Sequence, residues 1–190
     1  MIKAIIFDCY GVVVNDTFQD AYRSLGGNYE EDHVFIATAI AAANKGLIPR
    51  STGPIAERLG VSESTWIETM SAGREINMQL LNYIQELRKT YRTGMLTNIG
   101  KGGLSTLFAD GFLDKYFDAV VASSDIGYAK PEARAFEIAA ERLGARLDEC
   151  VFTDDREPYI EGAQHVGMKT ILFTDFESFA AQLKTIIESE

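Results

Sequence analysis

The chain has 190 residues, of which 46% are hydrophobic and 11% aromatic; this composition excludes an intrinsically disordered chain. Its formal net charge of −10 argues against nucleic acid and membranes as partners. The first residues contain no apolar run long enough for a secretory signal, and Cys9 and Cys150 are expected to be reduced, buried thiols. We therefore expect a cytoplasmic globular protein.

Five short apolar runs, rich in β-branched residues, indicate buried parallel strands. They lie at residues 3–7, 92–96, 119–122, 150–153 and 170–173. Amphipathic helical patterns separate the later strands, at residues 77–90 and 133–143, and a last one follows at about 176–187. Because strand and helix alternate, the sequence predicts a doubly wound α/β fold with a parallel sheet of about five strands.

The strand signal disappears between the first and second strands. Helical patterns occur there at residues 21–25, 33–45, 55–59 and 62–74, interrupted by glycine and proline. The sequence therefore predicts an α/β core of residues 1–14 and 78–190 and a helical cap subdomain of residues 15–77. This insertion would sit above the carboxyl end of the first strand, where open α/β sheets bind ligands.

Polar clusters follow four of the predicted strands. They are Asp8, Thr97-Asn98, Lys130-Pro131 and Asp154-Asp155. In a parallel sheet the loops after the strands emerge at one edge, so these groups are expected to converge. A single aspartate at a strand end is more often a turn or helix cap than a catalyst. Four clusters in this order favour an active site.

The segments at residues 7–12, 95–98, 129–132 and 152–155 read Phe-Asp-Cys-Tyr-Gly-Val, Met-Leu-Thr-Asn, Ala-Lys-Pro-Glu and Phe-Thr-Asp-Asp. In this order they resemble the four motifs of the haloacid dehalogenase superfamily. The resemblance spans residue 2 to about residue 173, and the helical insertion is similar to the small cap that follows motif one in that superfamily. It implies a Rossmann-like parallel sheet, a mobile cap and a hydrolase that acts on a small-molecule substrate.

The resemblance also implies a role for each motif. Asp8 would be the nucleophile, and Lys130 would neutralise the charges of the nucleophile and the substrate. Thr97 and Asn98 would bind the oxygens of a phosphoryl group. A Mg²⁺ site would complete the arrangement, with oxygen ligands of the kind that Mg²⁺ prefers. Its ligands would be Asp8, the backbone carbonyl of Tyr10, Asp154 and Asp155.

Tyr10 departs from the motif of the phosphatases in this superfamily, which carry a second aspartate at that position. General acid–base catalysis of that kind contributes about 10²–10⁴-fold in rate, or roughly 3–5 kcal/mol. Tyrosine, with an ordinary pKa of about 10, could donate a proton but would be a poor base at neutral pH. We therefore expect a Mg²⁺-dependent phosphatase for a small phosphorylated metabolite whose activity is weakened or restricted to good leaving groups.

Two alternatives stay open. Asp-x-Tyr-Gly also resembles the motif of the 2-haloacid dehalogenases, in which Asp8 would displace halide from carbon without a metal or a leaving-group acid. The paired acids Asp154 and Asp155 weigh against that alternative, because they would repel the carboxylate of a haloacid. The other alternative is a catalytically impaired member that binds a phosphorylated ligand or a protein partner.

Cations within the insertion could also reach the substrate. Lys45, Arg50 and Arg74 are the candidates. An exposed, solvated charge is the usual state of such residues, so no role is assigned to them.

Overall fold

The computed structural model describes residues 1–189, within which five parallel strands form one sheet. The strands are β1 (Ala4–Phe7), β2 (Arg92–Thr97), β3 (Ala119–Ala122), β4 (Cys150–Asp154) and β5 (Lys169–Leu172). Their order across the sheet is β3-β2-β1-β4-β5, so β1 lies in the centre between β2 and β4. The predicted α/β sheet is confirmed, and every predicted strand end lies within one residue of the observed one.

Ten α-helices occur in this part of the chain. They are α1 (Phe18–Ser24), α2 (Tyr29–Asn44), α3 (Thr52–Leu59), α4 (Glu63–Ala72), α5 (Met78–Leu87), α6 (Gly103–Leu107), α7 (Ser123–Ile126), α8 (Ala133–Leu143), α9 (Glu157–His165) and α10 (Phe176–Glu188). The sequence pattern does not indicate α9, because only Ile160 and Ala163 of this helix are buried. None of the helices in residues 1–189 combines the length and the apolar character that a membrane crossing requires.

Helices cover both faces of the sheet, so β1 is completely buried. On one face Phe7 contacts Phe179 of α10 edge-to-face, with 5.6 Å between ring centroids. On the other face Ile6 belongs to the hydrophobic cluster that includes α8 and α9. Cys9 and Cys150 are buried free thiols, as expected. The central strand is therefore fixed by packing on both sides, so Asp8, which follows it, is attached to a rigid part of the protein.

Helices α1 to α4 lie between β1 and α5 and form a hydrophobic cluster of their own. Trp66 is completely buried in this cluster and contacts Phe18 edge-to-face, with 5.2 Å between ring centroids. The two segments that join these helices to the sheet run side by side. Asn15 connects them through hydrogen bonds to the backbone of Gly73 at 2.9 Å and of Glu75 at 2.7 Å. This four-helix insertion thus returns to the sheet beside the point at which it left.

Candidate active site

The polar residues that follow neighbouring strands meet at the carboxyl edge of the sheet. Asp8 follows β1, Thr97 ends β2 and Asp154 ends β4. Because β1 pairs with both β2 and β4, Asp8 lies between the other two. The structure thus brings together the polar residues of three of the four motifs around the end of the central strand.

Lys130, from the remaining motif, links the two aspartates. Its Nζ lies 2.8 Å from Asp8 Oδ1 and 2.5 Å from Asp154 Oδ2, and its side chain is completely buried. Asp154 is also completely buried, and Asp8 is 5% exposed. One ammonium group therefore forms buried ion pairs with two carboxylates. Without it both carboxylates would be buried charges without a positive partner.

The side chain of Asn98 holds the backbone of Lys130. Its Oδ1 accepts a hydrogen bond from the Lys130 N–H at 2.8 Å, and its Nδ2 donates to the Lys130 carbonyl at 2.9 Å. The ring of Tyr159 packs against the same lysine, with 4.9 Å from Nζ to the ring centroid. Asn98, which the sequence motif associates with the substrate, therefore also positions Lys130.

Burial and charge set the protonation states of this cluster. Burial raises the pKa of Asp8 to about 7; Lys130 opposes that rise and Asp154 adds to it. Burial disfavours the charge on Lys130, but Asp8 and Asp154 outweigh it and raise the pKa of the lysine. Lys130 therefore stays charged at neutral pH, and the two carboxylates share its single positive charge.

Asp155 extends this acidic cluster toward the surface. One carboxylate oxygen from each of Asp8, Asp154 and Asp155 lies within 4.8 Å of the other two. The Asp155 carboxylate occupies the space in which a side chain at Gly11 would begin, and Gly11 has a φ of 81°, which favours glycine. Three carboxylates against the one ammonium of Lys130 leave a net charge of −2 when all are ionised. Oxygen donors with this charge fit a hard divalent cation.

Tyr10 is half-buried and lines the same cavity as Asp8. Burial raises the pKa of its phenol above the ordinary value. The phenol is therefore protonated at neutral pH, so it can donate a hydrogen bond or a proton but cannot take a proton from water.

Thr97 is completely buried, and its Oγ1 has no hydrogen-bond partner within residues 1–189. A buried polar group without a partner costs about 1–3 kcal/mol. Thr97 ends the strand next to β1, so this unpartnered hydroxyl lies at the same edge of the sheet as Asp8.

A cavity of about 490 Å³ lies between the carboxyl edge of the sheet and the four-helix insertion. Asp8 and Asn98 line it from the sheet, whereas Trp66 and Met70 line it from α4. Its size is within the range of about 300–1,000 Å³ that small-molecule sites occupy. The cavity therefore gives a small ligand access to Asp8.

Two arginines to which the sequence analysis assigns no role also line this cavity. Arg50, between α2 and α3, donates a hydrogen bond to the Lys101 carbonyl at 3.2 Å, and Arg74 precedes the return of the chain to the sheet. Both are half-buried, so the expectation of exposed, solvated charges is wrong for them. Lys45 is exposed, and it pairs with Glu132 at 3.1 Å. This difference in exposure between the two arginines and Lys45 depends on how the insertion packs over the sheet, and a local sequence pattern does not reveal that packing.

The fold and the site define an α/β protein whose central strand ends in a buried, lysine-bridged aspartate next to a ligand-sized cavity. Residues 74–167 match the sequence pattern of the haloacid dehalogenase-like hydrolases. The matched segment covers just under half of the chain and contains the motifs of Thr97, Lys130 and Asp154.

Individual relatives align with this chain over segments of different length. A phosphatase of Mycobacterium tuberculosis is 36% identical over 86 residues, which cover 45% of this chain and only 40% of that protein. The D-ribitol-5-phosphate phosphatase of Bacteroides thetaiotaomicron is 24% identical over an alignment that covers 100% of both chains. A superfamily enzyme from the same organism, solved with magnesium and inorganic phosphate, is 23% identical, with a TM-score of 0.78 over 94% of this chain and 99% of that one. This likeness confirms the fold.

Proposed function

We propose that this chain is a Mg²⁺-dependent phosphatase that acts on a small phosphorylated molecule through an aspartyl-phosphate on Asp8. The observation that carries the proposal is the buried bridge from Lys130 to Asp8 and Asp154, with Asp155 beside it. A phosphate dianion can approach this many carboxylates only if cations offset their repulsion. The similarity to two phosphatases supports the same reaction class.

Asp8, Asp154 and Asp155 would hold the Mg²⁺ ion, together with the backbone carbonyl of Tyr10. Their donor atoms are all oxygen, and one oxygen from each carboxylate lies within 4.8 Å of the others. When bound, the ion would offset the negative charge of the phosphoryl oxygens. Asp155 is exposed, so the site is open to water on that side.

In the first half of the reaction a carboxylate oxygen of Asp8 would attack phosphorus, and the bond from phosphorus to the leaving-group oxygen would break. Asp8 Oδ1 accepts the N–H of Cys9 at 2.6 Å and faces Lys130, whereas Oδ2 accepts no hydrogen bond within the described residues. Oδ2 is therefore the freer nucleophile. Thr97 Oγ1 and the backbone N–H of Asn98 would bind phosphoryl oxygens.

In the second half water would attack phosphorus and the bond from phosphorus to Asp8 would break, which releases phosphate. Tyr10 can give a proton to the leaving group in the first half, but its protonated phenol cannot activate water in the second. The missing base costs about 10²–10⁴-fold in rate, or roughly 3–5 kcal/mol. We therefore propose slow turnover, with acyl and aryl phosphates as the better substrates.

The four-helix insertion would act as the cap in this scheme. Residues 15–77 would cover a core formed by residues 1–14 and 78–190, with the substrate in the cavity between them. Arg50 already bonds across this boundary to the Lys101 carbonyl, and Lys45 bonds across it to Glu132. Closure of such a cap would keep bulk solvent away while the phosphoryl group is transferred to Asp8.

A screen of acyl, aryl and alkyl phosphates with Mg²⁺ tests the proposed function. Wild-type protein should release phosphate, and both Asp8→Asn and addition of EDTA should abolish the release. Asp110→Asn, a matched change at an exposed aspartate, should leave it unchanged. Phosphate release that survives Asp8→Asn would refute the proposed nucleophile.

Tyr10 favours a second candidate, a metal-independent 2-haloacid dehalogenase. Asp8 would displace halide from carbon, and water would then hydrolyse the ester, so no acid would be needed for the leaving group. Two further carboxylates would repel the haloacid by roughly 3–4 kcal/mol each at 4–5 Å and an effective dielectric constant of about 20. Halide release from 2-chloropropionate in EDTA, lost in Asp8→Asn, would establish this candidate. Ligand binding without either reaction would indicate an impaired member of the superfamily.

A further inference from the structure

The arginines of this chain divide into two groups by their partners. Six of the ten form ion pairs with carboxylates within residues 1–189; these are Arg23, Arg58, Arg88, Arg92, Arg134 and Arg146. The other four have no carboxylate partner within these residues, and three of them, Arg50, Arg74 and Arg156, line the cavity beside Asp8. The fourth, Arg142, donates to the Val120 carbonyl. Unpaired guanidinium groups thus concentrate at the cavity.

Arg74 is the least satisfied of the three. Arg50 bonds to the carbonyl of Lys101, and Arg156 bonds to the hydroxyl of Tyr159 at 2.8 Å. The side chain of Arg74 forms no hydrogen bond within the described residues, and its Nε is buried without a partner. A half-buried cation with unused donors costs free energy that a bound anion would recover.

Arg74 lines the same cavity as Asp8 and Tyr10, and its Nε has no hydrogen-bond partner within residues 1–189. An anionic group of a ligand in that cavity would therefore meet a cation that no protein carboxylate neutralises.

We propose that Arg74 binds a carboxylate of the substrate, so that among phosphate esters with equally good leaving groups those that also carry a carboxylate are preferred. This inference rests on the proposed phosphatase function and specifies its substrate class. A guanidinium group carries pairs of parallel N–H donors that match the two oxygens of a carboxylate. Lys130 and Mg²⁺ would neutralise the phosphoryl group, so Arg74 is free to bind the carboxylate.

Two three-carbon esters that differ at one group test this assignment. In 3-phosphoglycerate a carboxylate stands where glycerol 3-phosphate carries a neutral hydroxymethyl group. Arg74→Gln should lower kcat/KM for 3-phosphoglycerate by about 10-fold to 100-fold, mainly through KM, since a charged hydrogen bond of this kind is lost. It should change kcat/KM for glycerol 3-phosphate by less than about 3-fold.

Two further variants separate binding from folding. Arg74→Lys keeps the charge and should recover part of the affinity for 3-phosphoglycerate. Arg142→Gln removes the same charge at a site away from the cavity and should alter neither ester. An equal loss for both esters in Arg74→Gln, or no loss for either, would overturn the assignment of Arg74 to the carboxylate.

Calorimetric titration of the Asp8→Asn protein with Mg²⁺ and each ester decides the question without turnover. The protein with Arg74 should bind 3-phosphoglycerate more tightly than glycerol 3-phosphate, and Arg74→Gln should abolish that preference. If wild-type protein releases phosphate from none of the acyl, aryl and alkyl phosphates while this preference is present, the phosphatase proposal fails and the carboxylate site stands. If binding shows no preference, or neither ester binds, the carboxylate site fails whatever the activity.

Discussion

Replacing Lys130 with methionine should destabilise the metal-free protein by about 3–5 kcal/mol at pH 7, because it removes one partner of a buried ion pair. Methionine keeps most of the apolar stem but lacks the ammonium group that lies 2.8 Å from Asp8 and 2.5 Å from Asp154. Both carboxylates would then share a dry site without a cation. This loss of stability should be smaller at pH 5, since protonation of either carboxylate removes the repulsion between them. Mg²⁺ should restore part of the lost stability.

Urea unfolding followed by circular dichroism in EDTA measures this cost at both pH values. Lys45→Met is the matched control, because Lys45 forms an exposed pair with Glu132 at 3.1 Å. Exposed pairs contribute little, so the control should lose less than about 1 kcal/mol. A Lys130→Met cost no larger than that of the control, or one that does not change with pH, would refute the reasoning.

Three further outcomes follow from the same site. Since the pKa of Asp8 is raised from 3.8 to about 7, the metal-free folded state binds more protons than the unfolded state in that window, and its stability falls as pH rises. Asp8→Asn should therefore be more stable than wild type at pH 7 in urea unfolding, with the gap closing toward pH 4; parallel pH profiles would contradict this. Tyr10→Asp should raise steady-state phosphatase turnover by about 10²–10⁴-fold, and no rise would contradict the role given to Tyr10. Gly11→Ala should displace Asp155 and therefore weaken Mg²⁺ binding in calorimetry. The control is Gly26→Ala, because Gly26 has a similar φ of 85° but open space around it. This control should lose only about 1–3 kcal/mol of stability through backbone strain. Equal Mg²⁺ affinities in the two variants would exclude the displacement.

The positions of the strands could be predicted because parallel strands covered on both faces are continuous apolar runs. Helix α9 could not, since it has few buried residues and contains Gly162, which disfavours an isolated helix. That glycine allows the helix to pack closely on the loop between α7 and α8, because an added Cβ would lie 2.7 Å from the Cβ of Pro131. The contact joins residues far apart in the chain, so it leaves no local pattern.

The candidate site likewise has a part that the sequence predicts and a part that it does not. The meeting of Asp8, Thr97 and Asp154 follows from the sheet topology alone, because residues after neighbouring parallel strands emerge side by side. The bridge from Lys130 to both aspartates depends on the path of the loop between α7 and α8. The cavity lining by Arg74 depends on how the insertion covers the sheet. Sequence patterns therefore identify the groups on the strand ends, and three-dimensional packing decides what surrounds them.

Rapid-quench measurement of the first turnover with 4-nitrophenyl phosphate and Mg²⁺ tests the central claim most directly. In the proposed mechanism Asp8 would displace this good leaving group without an acid, but the protonated Tyr10 would not activate water against the aspartyl-phosphate. Wild-type protein should therefore release a burst of about one equivalent of 4-nitrophenolate before a slow steady state, and Asp8→Asn should show no burst. Turnover that is linear from the first cycle and persists in Asp8→Asn would contradict a covalent phosphatase built on Asp8.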